Sequence, residues 1–251
     1  MGLYSRLFKL YEESEVDPDI ELDRRELLET AVTGTVSFSI ARKLLKDPEP
    51  SQDSLEEIYG SNFRGYEEAR PNLLLDVTEV EGNNLDQEII DKVESIYDRN
   101  GINLIIAKRK QKYPQQEFQT RYGGEVARIL GTDGYSGFFR ENISSKMRQH
   151  GIQTVVTPGK PDNPRGWLEY ENKYRTGFAT DSIALGSNTA FEQGYPEDPE
   201  KGKQIILMHE IGHACGLEHV KEPSNIMYEN VDLNADLTYS EKQWEKIKEV
   251  I

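Results

Sequence analysis

Eleven residues, His209-Glu210-Ile211-Gly212-His213-Ala214-Cys215-Gly216-Leu217-Glu218-His219, constrain this chain more than any other stretch. Three of its four histidines fall inside them. On an α-helix His209 and His213 stand about one turn apart, so both rings leave the same face. Gly216 then ends the helix and supplies the backbone freedom for a sharp turn, expected at positive φ. A chain that turns there can bring His219 towards the first two rings. Any fold carrying this segment must hold a helix and its return turn in a fixed relation.

Three imidazoles placed in this way can grip one metal ion. Zinc favours nitrogen, sulfur and carboxylate donors in a tetrahedral site, and a catalytic zinc keeps three protein ligands and leaves one position for water. His209, His213 and His219 are therefore the candidate ligands of one catalytic Zn2+. Glu210 adjoins a ligand without being one itself. Its carboxylate can reach a zinc-bound water and act as general base, the chemistry of peptide-bond hydrolysis. A lone histidine such as His150 reads as ordinary packing or surface. Three at this spacing, with the glutamate and the glycine in place, do not.

The eleven residues resemble the extended zinc signature of the metzincin metallopeptidases. Ser224-Asn225-Ile226-Met227-Tyr228 follows five residues after His219, where that clan has its Met-turn. By resemblance Met227 is a hydrophobic floor beneath the ligands and binds no metal. A buried core methionine would play nearly the same part. The tail also matches, with Ser240 capping a helix, Gln243 at the box position, and Trp244, Ile247, Val250 and Ile251 on its apolar face. The likeness spans roughly residues 70–251 and implies an α/β (α+β) fold. Its twisted, mostly parallel five-stranded sheet would have one antiparallel edge strand, an active-site helix and a C-terminal helix. It implies an extended substrate added to the edge strand by backbone hydrogen bonds, and Thr176–Thr180 is the candidate edge.

The chain departs from several metzincin families. Glu229 stands where astacin-like and serralysin-like members have a zinc-binding tyrosine, while Tyr228 directly follows Met227, more as in matrixins. The cysteine pattern of archaemetzincins after the third histidine is absent. Cys215, the only cysteine, lies within the signature, so a matrixin-style thiolate switch from a pro-segment is not available. By helical phase it faces away from the ligands and reads as packing. Some metzincins carry structural Ca2+, but no EF-hand-like spacing supports such a site here.

Net charge is −15, which argues against nucleic acid or an anionic membrane as the main partner. A protein or peptide substrate is expected instead. The acidity is uneven, with 14 acidic and 7 basic residues in positions 1–60. Residues 1–65 read as an N-terminal extension: a polar tail, then one or two helices over 22–46 interrupted near Gly34. It either covers the cleft as a pro-segment does or, the plainer reading, packs on the back of the domain. Residues 66–251 read as the catalytic domain. No signal-peptide core and no membrane-spanning stretch is legible, which tilts the expected location slightly towards the cytoplasm.

Asn72–Val80 is strand-like. A helix follows with apolar residues from Leu85 to Tyr97 and Asn84 as its cap, then a strand over Ile102–Ala107. This strand–helix–strand unit predicts a right-handed crossover. Glu125–Leu130 and Phe138–Met147 read as helices, Ile152–Thr157 and Ser182–Gly186 as strands. Asp198 caps a helix running to about Cys215, with proline at its first position. The leading function is a zinc-dependent metalloendopeptidase. Two rivals are a narrow-specificity processing peptidase of the same chemistry and a catalytically silent, zinc-containing protein-binding module. Retention of Glu210 counts against the last, because a structural zinc site has no use for that carboxylate.

Overall fold

The computed structural model describes residues 52–60, 65–131, 137–143, 151–163 and 166–251. The chain divides into two units, Met1–Lys46 and Asp47–Ile251, and the described residues all lie in the second. The helices expected over 22–46, His150, and the expected helix beyond Ile143 lie outside the described residues.

Five strands form one sheet: β1 (Asn72–Glu79), β2 (Asn103–Lys108), β3 (Ile152–Val156), β6 (Gly177–Ala179) and β7 (Ile183–Leu185). Their order is β2-β1-β3-β7-β6. All neighbours run parallel except β6, which pairs antiparallel with β7 at the edge. The fold is thus α/β with a mostly parallel sheet and one antiparallel edge strand, and that edge falls inside the expected 176–180. Strands β4 (Leu168–Tyr170) and β5 (Lys173–Arg175) form a separate hairpin. Its turn uses left-handed backbone at Glu171 and Asn172. This hairpin and the helix Gln115–Tyr122 carry weak periodicity and were not foreseen.

Successive side chains along a strand point to opposite faces, and both sets are buried here, so the sheet is covered on both sides. Leu73, Leu75 and Val77 of β1, with Leu104 and Ile106 of β2, point into the larger core. There they meet α2 (Gln87–Arg99), Phe191 of α6 (Asn188–Gly194), α7 (Pro199–Ala214) and α8 (Glu241–Val250). On the opposite face Val155 and Ala184 pack beneath α3 (Gln115–Tyr122), α4 (Val126–Leu130) and α5 (Phe138–Asn142). Phe118, Tyr122 and Phe138 meet there in tilted and edge-to-face contacts with ring centroids 5.1–5.5 Å apart. Tyr59, at the end of α1 (Gln52–Tyr59), packs with Leu74, Ile105 and Ala107. Asp76, with its side chain only 1% exposed, takes a two-pronged ion pair from Arg109 at 2.9 and 2.6 Å.

The first crossover helix starts later than expected. Asp86 is its N-cap, without a side-chain cap bond. Asn84 is used differently: its amide donates to Asp86 Oδ1, and its own Oδ1 accepts from Asn188 Nδ2 at 3.2 Å. The loop before the helix is held by Glu79, whose Oε1 accepts the Leu85 N–H at 3.0 Å and whose Oε2 pairs with Lys112 at 2.9 Å.

Burial alone would raise the Glu79 pKa, but the Lys112 and Leu85 hydrogen bonds and the Lys108 charge outweigh it and hold it below the ordinary 4.5. The stability this carboxylate contributes is therefore present above its unfolded pKa and lost as pH falls through the folded one. Glu79→Gln should lower the melting temperature at pH 7, with the difference from wild type closing once the pH drops below 4.5. Thermal melts across that range check it.

Candidate metal centre

Helix α7 is capped as the sequence predicts, with the Asp198 side chain accepting the Lys201 N–H at 2.9 Å and Pro199 in the first turn. Every residue from Gly202 to Gly212 is buried. Its environment therefore comes from tertiary packing on all sides, not from one apolar stripe. Even Lys203 is enclosed, donating to Asn188 Oδ1 at 2.7 Å and to the Asn84 carbonyl at 3.3 Å. Gly202 leaves room for the Tyr195 ring, which an added Cβ would meet at 2.3 Å.

The helix ends at Cys215, and Gly216 adopts φ +82°. The Leu217 N–H returns to the Gly212 carbonyl at 2.9 Å, and Lys246 donates to the Gly216 carbonyl at 2.6 Å. This turn delivers His219. The three Nε2 atoms converge: His209 to His213 3.0 Å, His213 to His219 3.0 Å, His219 to His209 3.3 Å.

Two backbone carbonyls decide what those nitrogens can do. The Ile226 carbonyl lies 2.7 Å from His209 Nδ1 and the Leu217 carbonyl 2.9 Å from His213 Nδ1. A carbonyl only accepts, so each Nδ1 carries the proton and each Nε2 presents a bare lone pair. His209 Nε2 and His213 Nε2 then have no proton to share, and at 3.0 Å they repel each other unless a cation lies between them. Separations of 3.0–3.3 Å subtend roughly 95–107° at an ion ~2.05 Å from each nitrogen, close to tetrahedral. The donor set fits zinc. Burial lowers the His209 pKa to about 4 against the opposing Ile226 hydrogen bond, and burial also lowers that of His213. Both rings are thus neutral, as metal ligands must be.

Glu210, beside His209, is 5% exposed. Burial raises its pKa to about 8, and the Arg175 charge opposes that rise. Its carboxylate lies against edge strand β6, where a Cβ on Gly177 would stand 2.7 Å from Oε1.

Met227 is fully buried. Gly212, inside the signature, makes space for it: an added Cβ would stand 2.5 Å from the Met227 sulfur. The turn around Met227 is held by Asn225, whose Oδ1 accepts the Met227 N–H at 2.8 Å and whose carbonyl accepts the Tyr228 N–H at 2.9 Å. The Asn225 and Gln243 amides also bond each other at 3.2 and 3.3 Å. Gln243 Oε1 accepts the Ser240 N–H at 2.8 Å, the backward half of the expected capping box. Asn225 thus ties the Met-turn to α8, a role the sequence signals only as an asparagine two residues before the methionine. Cys215 is buried in the core, as expected.

Residues 159–250 match the family model described as matrixin. That segment holds the three histidines, Glu210 and Met227. Among solved structures it is similar to the archaemetzincin of Methanopyrus kandleri, with 15% identity, 73% of this chain and 96% of that one covered, and TM-score 0.46. It is also similar to a zinc-dependent peptidase of Methanocorpusculum labreanum, with 15% identity, 69% and 99% covered, and TM-score 0.46. Metalloproteinase-II of Bacteroides fragilis aligns at 14% identity, with 78% and 61% covered and TM-score 0.48. No curated protein matches the chain. Among the described residues no helix is long and apolar enough to cross a membrane.

A Cβ on Gly216 would meet nothing within 4 Å, so backbone conformation is the sole local objection to a side chain there. Gly216→Ala should cost about 1–2 kcal/mol of stability. Gly216→Asn should cost less, because asparagine tolerates the left-handed region. Equal losses for the two variants in chemical denaturation would contradict this.

Proposed function

We propose that this chain is an endopeptidase whose zinc is held by His209, His213 and His219 and whose general base is Glu210. One observation carries the reading: three convergent Nε2 atoms, two of them locked as lone-pair donors, beside a buried carboxylate on the same helix. When bound, zinc supplies a Lewis acid and brings the pKa of its water to about 7.

The chain's own groups do the rest. Glu210 takes a proton from the attacking water as the water oxygen bonds to the carbonyl carbon. It then passes that proton to the amine nitrogen as the C–N bond breaks. Burial keeps bulk water from competing for that carboxylate. The antiparallel edge strand β6 has no strand beyond it among the described residues, and it runs beside Glu210. An extended peptide paired with it would lie across the reacting groups. We assign the catalytic domain to residues 66–251 and an accessory role to the extension, residues 1–65. The substrate is a protein or peptide, and nothing in an acidic surface of this kind favours nucleic acid.

Glu210→Gln should retain about one zinc per chain and lose at least ~10²-fold in kcat, the contribution of a positioned base. His213→Ala should lose both zinc and activity. Gly177→Ala, which crowds Glu210 and Ile206 at 2.7 and 2.5 Å, should keep its zinc while kcat falls. Metal analysis paired with mass-spectrometric profiling of a peptide library, with and without chelator, checks all three. Full zinc content without any cleavage by wild type would instead identify a silent binding module.

A further inference from the structure

Arg175 closes β5 at the bend that leads into edge strand β6. The bend is pinned by the Thr176 carbonyl, which accepts the Gly186 N–H at 2.7 Å. Two residues beyond Arg175 is Gly177, the residue against which the Glu210 carboxylate lies.

The Arg175 Nε is buried and has no hydrogen-bond partner among the described residues. A buried donor without an acceptor is costly, more so on a charged group. A guanidinium cannot escape that cost by losing its proton. The same group supplies positive charge felt at Glu210, His209 and His213, and it stands two residues before Gly177, the residue the Glu210 carboxylate lies against. Beside a site built for a dication, a further cation weakens metal binding by simple repulsion. Such an arrangement is useful where negative charge develops between the two.

We propose that Arg175 is a catalytic residue whose guanidinium donates hydrogen bonds to the scissile carbonyl oxygen as it becomes an oxyanion. This rests on the peptidase reading above. As the water oxygen bonds to the carbonyl carbon, the C=O π pair moves onto the carbonyl oxygen, and Arg175 meets that charge while keeping all its protons. When the C–N bond breaks, the pair returns to re-form C=O, and the proton held by Glu210 goes to nitrogen. The donor is therefore strongest in the transition state and weak in the ground state, so its loss falls on kcat.

The test uses the full-length zinc-loaded chain, with Arg175→Met, Arg175→Gln and Arg175→Lys assayed on a neutral peptide. Removing one oxyanion donor is worth about 10²–10³-fold in kcat. The first two variants should show that loss with KM nearly unchanged and zinc content intact. Their affinity for a phosphinic peptide, which mimics the tetrahedral state, should fall in parallel with kcat/KM, and lysine should restore part of both. A raised KM confined to acidic peptides would overturn the proposal and make Arg175 a carboxylate-binding subsite instead. Unchanged phosphinate affinity, or loss of zinc from both Met and Gln variants, would also overturn it. If wild type cleaves and the Met variant matches it, this inference alone fails. If wild type cleaves no peptide, the peptidase reading fails and takes this one with it.

Discussion

Two backbone carbonyls govern this site. Ile226 and Leu217 each accept a proton from the outer nitrogen of an imidazole, and that leaves the inner nitrogens as bare donors facing one another. Everything else in the centre serves that arrangement. Such partners fix both the orientation and the tautomer of a metal ligand. Because they are main-chain atoms, they persist only while the turn at Gly216 and the turn at Met227 hold their places relative to α7.

The fold secures both turns by packing and by a short chain of amides. Gly212 lets the Met227 sulfur approach the helix that carries His209 and His213. Asn225 closes the Met-turn and reaches Gln243, which caps α8. Helix α8 in turn sets Trp244 against Tyr97 of α2 and Tyr239, with centroids 4.9 and 4.7 Å apart. The Tyr239 hydroxyl donates to the Met208 carbonyl, one residue before His209. The C-terminal helix is thus connected to the histidine cluster through named contacts and is not a mere cover for the core.

Much of this was legible in the sequence, for physical reasons. The histidine spacing on a helix needs no tertiary knowledge, and the Asp198-Pro199 start and the Ser240/Gln243 box are local chemistry. The strands of the parallel sheet read as apolar runs because both their faces are covered. What escaped depends on approach between distant segments. Asn84 looked like a cap, yet Asn188 recruits it and Asp86 takes the position. Gly177 is unremarkable until Glu210 is found against it. Arg175 carries no local pattern at all, and only the bend into the edge strand sets it two residues from the glycine that Glu210 approaches. Short strands such as β4 and β5 have too few residues for alternation to register.

X-ray absorption at the zinc edge of the purified, full-length protein reads the ligand set of His209, His213 and His219. The expected first shell is nitrogen and oxygen only, at ~2.0–2.1 Å, with the multiple-scattering pattern of three imidazoles. A sulfur scatterer at ~2.3 Å, which only Cys215 could readily supply, or fewer than three imidazoles, would contradict it.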